Sequence, residues 1–335
     1  MDIRSRAPVR LSFAGGGTDV SPYCEEHGGC VVSATLSKYA WGSLSLRRDK
    51  SILLDDIRFG SLKLNSLRDI RYDGNLDLLK AVLNHFKPES GVGLFLRNDV
   101  QPRSGLGSSA SAFLSIIGLF NHLKGEMKLT DYEIAELAYD LERNELGNRG
   151  GRQDQYASVF GGLNYIEFKG DDFVRVNPIR IKKDYILELE KNLILVYAMD
   201  RSVSGDVIDD QTKSYVKNKR DVVEALHQSK ALAMEVNYAL RKGDFNRFGE
   251  LLHEGWEAKK KFSPLISNSH IDRLYEIARK NGAMGGKITG AGGGGHMFFY
   301  CEPNKEDHVA QKLSEAGARV VNFSFDFEGL QSWEI

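Results

Sequence analysis

The sequence predicts an α+β protein of two consecutive domains. Three observations carry that expectation. The first half reads as β-rich segments followed by two apolar-periodic helices. The second half reads as strands returning after helices. The 335 residues suffice for two cores of ordinary size. A polar, charged passage near residues 170–185, GDDFVRVNPIRIKKD, divides the chain into 1–178 and 179–335.

In the first half VRLSFA, CVVSATLSKYAWGSLSL and SILLDD alternate or are rich in β-branched residues, and GVGLFLRNDV follows a short helical stretch. SGLGSSASAFLSIIGLFNHL is a predicted helix, because Phe113, Ile116, Ile117, Phe120 and Leu123 recur at helical spacing and Gly125 follows as a stop. TDYEIAELAYDLERNELG opens with Thr130 and Glu133 in capping-box spacing, carries Ile134, Leu137, Ala138 and Leu141 as one stripe, and stops at Gly147. NRGGRQDQ is a glycine-rich turn leading to a short helix and the strand GGLNYIEF.

The second half opens with the strand NLILVYAMD. A helix is predicted over roughly 206–242 on the stripe Val222, Leu226, Ser229, Ala233 and Val236, and another over 244–261. SHIDRLYEIARKNG is a third, with Ser269 as N-cap and Gly282 just past its end. MFFYC is a strand and DHVAQKLSEAG a helix. VVNFSFDF closes the chain as a strand in which Phe323, Phe325 and Phe327 alternate with polar neighbours.

Composition narrows the function. Lys+Arg number 45 against 46 for Asp+Glu, so no broad field favours nucleic acid or acidic lipid, and a charged ligand must be met by local groups. No apolar run reaches bilayer length, and MDIRSRAPVR lacks the apolar stretch of a secretory signal. The cysteines Cys24, Cys30 and Cys301 are an odd, sparse set. That fits a reducing compartment, and the cytoplasm is expected. Cys24, His27 and Cys30 stand at three-residue intervals, but no fourth ligand is evident and no zinc is expected.

The chemistry concentrates in glycine-bearing stretches. In PRSGLGSSASA, residues 102–112, glycines immediately precede an apolar helix. Free N–H groups and the dipole at such a helix start favour an anion, and Gly105 and Gly107 let backbone approach a phosphate. Ser108 and Ser109 either cap the helix or present a hydroxyl to Mg²⁺. The segment is neither Walker A nor the Rossmann fingerprint, and alone it reads equally as a tight turn before a capped helix. APVRLSFAGGGTD and KITGAGGGG supply two further glycine turns, and three such loops can converge on one ligand.

These three stretches resemble the motifs of the GHMP kinase superfamily, named for galactokinase, homoserine kinase, mevalonate kinase and phosphomevalonate kinase, and the resemblance spans essentially the whole chain. AGGGTDVSPYCEEHGG is most similar to the branch acting on D-glycero-D-manno-heptose 7-phosphate. The resemblance implies a ribosomal-protein-like N-terminal domain, a ferredoxin-like C-terminal domain, and an ATP- and Mg²⁺-dependent sugar 1-kinase. Its partner would be a small sugar phosphate, giving a 1,7-bisphosphate for nucleotide-heptose and surface polysaccharide. The chain would be a monomer or homodimer. Alternatives are a kinase of fucose or another hexose, or a non-catalytic sugar-binding regulator.

Carried over residue by residue, Ser104, Gly105, Leu106, Gly107, Ser108, Ser109 and Ala110 would wrap the triphosphate. Ser109 and Glu142, five residues before Gly147, would hold Mg²⁺; helical spacing alone does not separate Glu142 from Glu145. Asp154 matches the catalytic base and Arg10 its cationic partner. Gly17, Thr18 and Asp19 would meet the sugar, with Gly16-Gly17 standing where galactokinases carry Glu-His, a departure that opens space. Gly290, Gly292 and Gly293 would close the site. A phosphate already on the sugar would be held by one of Lys38, Arg149, Arg152 or Arg201, the last at a position where related sugar kinases also carry arginine.

Overall fold

A computed structural model describes residues 2–335 apart from 126–127, 171–172 and 202–203. The β-rich N-terminal run forms long strands: β1 (Asp2–Ala14), β2 (Gly29–Arg47), β3 (Ile52–Asp56), β4 (Gly60–Leu64), β5 (Gly91–Asn98), β6 (Leu163–Lys169) and β7 (Phe173–Pro178). They pair in the order β1-β2-β5-β3-β4, with β6 against β2 and β7 against β6. The length of β2 lets one edge serve two neighbours in turn, β6 over Gly29–Ala34 and β5 over Ala40–Arg47. Five helices accompany this sheet: α1 (Tyr23–His27), α2 (Asp77–Phe86), α3 (Ser108–Leu123), α4 (Asp131–Asp140) and α5 (Gln153–Phe160).

α3 is the buried axis of this half, covered from Ala110 to Asn121. Buried hydroxyls tie it to the sheet: Ser111 Oγ donates to the Pro8 carbonyl at 2.8 Å, and Ser5 Oγ of β1 donates to the Ser115 carbonyl at 2.6 Å. The capping box of α4 forms as the spacing predicts, with Glu133 N donating to Thr130 Oγ1 and Thr130 N to Glu133 Oε2. The helix does not run on to Gly147, however. It ends at Asp140 and gives way to a π-helical turn over Leu141–Glu145.

The second half comprises α6 (Lys183–Asn192), β8 (Leu193–Met199), α7 (Ser204–Val216), α8 (Arg220–Lys242), α9 (Phe245–Lys260), α10 (Ser269–Lys280), β9 (Ala283–Ile288), β10 (Gly295–Cys301), α11 (Glu306–Glu315) and β11 (Arg319–Val320). Its four strands form an antiparallel sheet in the order β11-β8-β10-β9. Two sequence expectations need correction here. The helix expected over 206–242 is two helices, broken where Asn218 takes a left-handed φ of 52°. The N-cap of α10 is Asn268, not Ser269: its Oδ1 accepts from the N–H groups of His270 and Ile271.

The expected strand VVNFSFDF is also not one. Beyond β11 the segment crosses from one sheet to the other, and its backbone pairs at isolated points: Val321 N donates to Leu195 O, Ser37 N to Ser324 O, and Asp326 N to Thr35 O. Phe325 is buried while Phe327 is 48% exposed. The chain then adds β12 (Gln331–Glu334) antiparallel to β1. The last residues of the second half thus complete the first sheet.

The two sheets share a core. Val9, Leu11 and Phe13 of β1 pack with Leu232 and Val236 of α8, Phe248 of α9 and Phe298 of β10. The Phe13 ring stands edge-on to Phe248 at 5.4 Å and to Phe298 at 5.7 Å between centroids. Phe13→Ala should destabilise the protein by about 3–5 kcal/mol, read as a drop in the urea midpoint. A loss below about 1 kcal/mol would contradict a shared core at this point.

Candidate active site

One guanidinium joins three separated pieces of chain. Arg10, on β1 and 4% exposed, donates from Nε to Asp154 Oδ1 at 2.8 Å, with Nη2 ion-paired to the same oxygen at 2.7 Å, and from Nη1 to the Gly105 carbonyl at 2.5 Å. Asp154 lies in the first turn of α5, its carboxylate 19% exposed. Both residues line a cleft of about 810 Å³, in the range of small-molecule sites.

The loop Ser104–Gly107 enters α3 beside this pair. Gly107 has φ 75°, and a Cβ there would stand 3.3 Å from both Arg10 Cγ and Asp154 Oδ2, so a side chain would crowd the pair. No side chain caps α3. Its first-turn N–H groups therefore lack a side-chain acceptor, an arrangement that favours an anion over a self-capped turn. Ser104, Gly105, Gly107, Ser108 and Ser109 line the cleft, whereas Leu106 and Ala110 do not; Leu106 is fully buried in the shared core.

Glu142 and Glu145 both border the cleft, but the π-helical turn buries Glu142 and leaves Glu145 exposed, where it accepts from the Tyr72 hydroxyl. Glu142 is 2% exposed and accepts from Gln155 Nε2 at 2.7 Å, with Arg143 Nη1 3.5 Å away. Burial pushes its carboxyl pKa up, against the opposing pull of Arg143 and the Ser109 hydroxyl. A buried carboxylate and a hydroxyl side by side at a phosphate loop suit a hard cation such as Mg²⁺.

Asp19 is 4% exposed and lines the same cleft, accepting from Gly17 N at 3.2 Å and from Gln153 N and Nε2 at 3.2 and 3.0 Å. Burial, and then the charge of Asp154, raise its pKa. Gly17 borders Phe262 and Gln211 from the second half. Thr18 stays out of the cleft: fully buried, its hydroxyl donates to Gly15 O at 2.8 Å and accepts from Cys30 N at 3.1 Å, which braces the turn.

The second half closes the cleft through Gly290, whose Cβ would fall 2.9 Å from Gly105 Cα. Gly292 and Gly293 turn away from it. They pack on Ile266 and Leu265, with Gly293 N donating to Ile266 O at 2.8 Å. Of the basic candidates Arg201 lines the cleft, 8% exposed, donating from Nη2 to the Thr289 and Gly294 carbonyls at 3.2 and 3.3 Å. Burial and the charge of Arg10 push it down to about 10. Arg149 lines the rim and pairs with Asp209 at 3.2 Å. Arg152 is instead spent on the Tyr139 ring and Glu136, and Lys38 is not part of the lining.

Sequence reasoning missed two residues. Lys259, at the end of α9, and Lys287, in β9, are 6% and 4% exposed and line the cleft. Lys259 reads in the sequence as part of a solvated basic run, AKKK. Lys287 carried a usable signal, a lone lysine inside the apolar and glycine strand AMGGKI.

With this geometry in view, comparison with known proteins gives the class. The chain belongs to the GHMP kinase family, and as such is a phosphotransferase: the GHMP kinases N terminal domain matches residues 76–162 and the GHMP kinases C terminal domain residues 236–319. It is 37% identical to the D-glycero-alpha-D-manno-heptose 7-phosphate kinase of Campylobacter jejuni, over 99% of each chain. The crystal structure of a D-glycero-D-manno-heptose 1-phosphate kinase from Bacteroides thetaiotaomicron superposes with a TM-score of 0.83 at 33% identity, over 99% of each chain. Lactococcus lactis galactokinase complexed with galactose shares the fold, with a TM-score of 0.77 at 18% identity over 100% of this chain and 95% of that one.

Burial and the charge of Arg10 push Lys287 down to about 7 from 10.5. Between those values the unfolded chain binds the proton that the folded chain releases, so stability from this group is complete above pH 10.5 and declines as pH falls toward 7. Lys287→Met should therefore have a higher Tm than the ligand-free wild type at pH 7, with the gap closing toward pH 10. A Tm difference that does not change with pH would contradict the burial of this charge.

Proposed function

We propose that the protein transfers the γ-phosphoryl group of ATP to the anomeric hydroxyl of D-glycero-D-manno-heptose 7-phosphate, giving the 1,7-bisphosphate. The observation that carries the chemistry is the Asp154–Arg10 pair set directly beneath an uncapped helix start in a cleft both halves enclose. The acceptor is supported by the Campylobacter jejuni relative. The reaction belongs in the cytoplasm, where ATP is supplied, and its product would feed nucleotide-heptose and surface-polysaccharide synthesis.

ATP lays its phosphates along Ser104–Ser109 and the α3 N-terminus. Ser109 and Glu142 would hold Mg²⁺, which neutralises phosphate charge as transfer proceeds. Asp154 accepts the proton of the attacking hydroxyl, and an anomeric hydroxyl is acidic enough that a carboxylate of ordinary strength suffices. Arg10 orients Asp154, and it faces the charge that develops on the acceptor oxygen. Asp19 receives hydroxyls of the sugar, beside a wall formed by Gly17 and Phe262.

Two relatives carry names that put the existing phosphate at opposite ends of the same heptose. A screen of heptose 7-phosphate, heptose 1-phosphate, galactose and fucose should show turnover of the 7-phosphate, with the new phosphate at C1 by ³¹P and ¹H NMR. Turnover of free hexoses without heptose 7-phosphate would end this reading. Asp154→Asn should lower kcat by about 10²–10⁴-fold while KM for ATP moves little; an unchanged kcat would remove Asp154 from the base role. Glu142→Gln should raise the Mg²⁺ concentration needed for half-maximal rate.

A further inference from the structure

Lys259 and Lys287 have no task in the chemistry just described. Lys259 Nζ donates only to the Gly290 carbonyl, and the Lys287 ammonium has neither a hydrogen bond nor an ion pair among the described residues. Arg201 Nε, beside them, is buried and also unpartnered among the described residues. A buried cation with no carboxylate paired to it is costly to keep even where a carbonyl accepts from it, so three together, none in an ion pair among the described residues, mark a place where an anion is meant to sit.

The carboxylates at hand do not balance this charge. Arg10, Arg201, Lys259 and Lys287 face Asp19 and Asp154. Asp154 is already matched by Arg10, and Asp19 is held by Gln153 and the Gly17 N–H rather than by a cation. We infer that Lys259 and Lys287, with Arg201, form a second phosphate site, adjoining the glycine loop where Arg201 lies against Gly105, for the phosphate group that the acceptor sugar brings with it. This deepens the proposed function and rests on its assignment of a phosphorylated acceptor.

The position favours the acceptor over the nucleotide. Phe262, one helical turn beyond Lys259, lies 3.0 Å from where a Cβ at Gly17 would stand, so the lysine sits behind the wall that the sugar meets. The carboxylate both lysines sense is Asp19, on that same wall. The triphosphate already has the α3 N-terminus, Ser109 and Glu142. Two ammonium groups and a guanidinium supply donors enough for a phosphate dianion and more than offset its charge. Because burial holds Lys287 near pKa 7, the arriving dianion also draws a proton onto it.

The test uses the full chain with Mg²⁺ and the non-hydrolysable analogue AMPPNP, which fills the nucleotide site. Inorganic phosphate is then titrated against chloride at constant ionic strength, and Tm is read. Phosphate should raise Tm in the wild type, Lys259→Met and Lys287→Met should abolish that rise, and Lys287→Arg should keep part of it. No phosphate-specific rise with nucleotide bound, or an equal rise in both Met variants, overturns the site. Kinetics then separate the source of the phosphate. The Met variants should lose on the order of 10²-fold in kcat/KM for heptose 7-phosphate, with little change for unphosphorylated heptose or in KM for ATP. Equal losses on both acceptors would place the lysines on the transferring group and overturn the assignment. If the wild type turns over neither heptose, the heptose reading falls, while the phosphate-dependent Tm still decides the site.

Discussion

The site depends on one guanidinium. Arg10 is fixed in the middle of β1, the strand that also carries Phe13 into the core between the sheets, and its donors reach α5 and the glycine loop at once. A planar, always-charged fork can hold two oxygen acceptors in set directions; a lysine at this position would give a point charge and lose the bridge. Register along β1 thereby becomes register in the site. The same strand is paired on both edges, by β2 and by β12, so its freedom to shift is removed by residues more than 300 positions away.

The return of the chain end has a second consequence. The second half is anchored at two places, at its beginning through β7 and at its end through Phe325 and β12. Between these anchors lie all of its cleft residues, Arg201, Lys259, Lys287 and Gly290 among them. The contact between Gly290 and Gly105 is close enough that neither could carry a side chain unmoved, which makes the approach of the two walls a property of backbone rather than of rotamers. The glycines of KITGAGGGG thus divide their work. Gly290 shapes the cleft, while Gly292 and Gly293 let the following turn pass Ile266 and Leu265.

Much of this was legible in the sequence, and the failures share a cause. Periodicity located α3, α9, β8 and β10, because each buries one face or nearly all faces and the apolar pattern records it. Motif spacing located Arg10, Asp19, Ser109, Glu142 and Asp154. What sequence did not yield depends on the backbone departing from a regular period. The π turn that buries Glu142 and leaves Glu145 exposed adds a residue without altering the apolar stripe. Asn218 breaks an otherwise continuous helical pattern, and the Phe323–Phe327 alternation is real yet serves a crossing segment that pairs with two sheets in succession. The buried lysines were missed for a different reason. Local pattern gives the chemistry of a lysine but not whether its neighbours, distant in sequence, cover it.

Those lysines bear on how a nearly neutral protein handles strongly anionic ligands. With a formal net charge of −1, the surface offers little long-range steering, so encounter with ligand should depend weakly on salt. The positive charge is instead held inside the cleft, where low local dielectric strengthens each interaction with a bound phosphate and where counter-ions screen poorly. This arrangement trades encounter rate for discrimination. A ligand that brings no phosphate leaves buried cations uncompensated, whereas one that brings it removes that cost and the repulsion among Arg10, Arg201, Lys259 and Lys287 together. Specificity for a phosphorylated acceptor would then come less from an added attraction than from relief of a penalty that the empty cleft already carries.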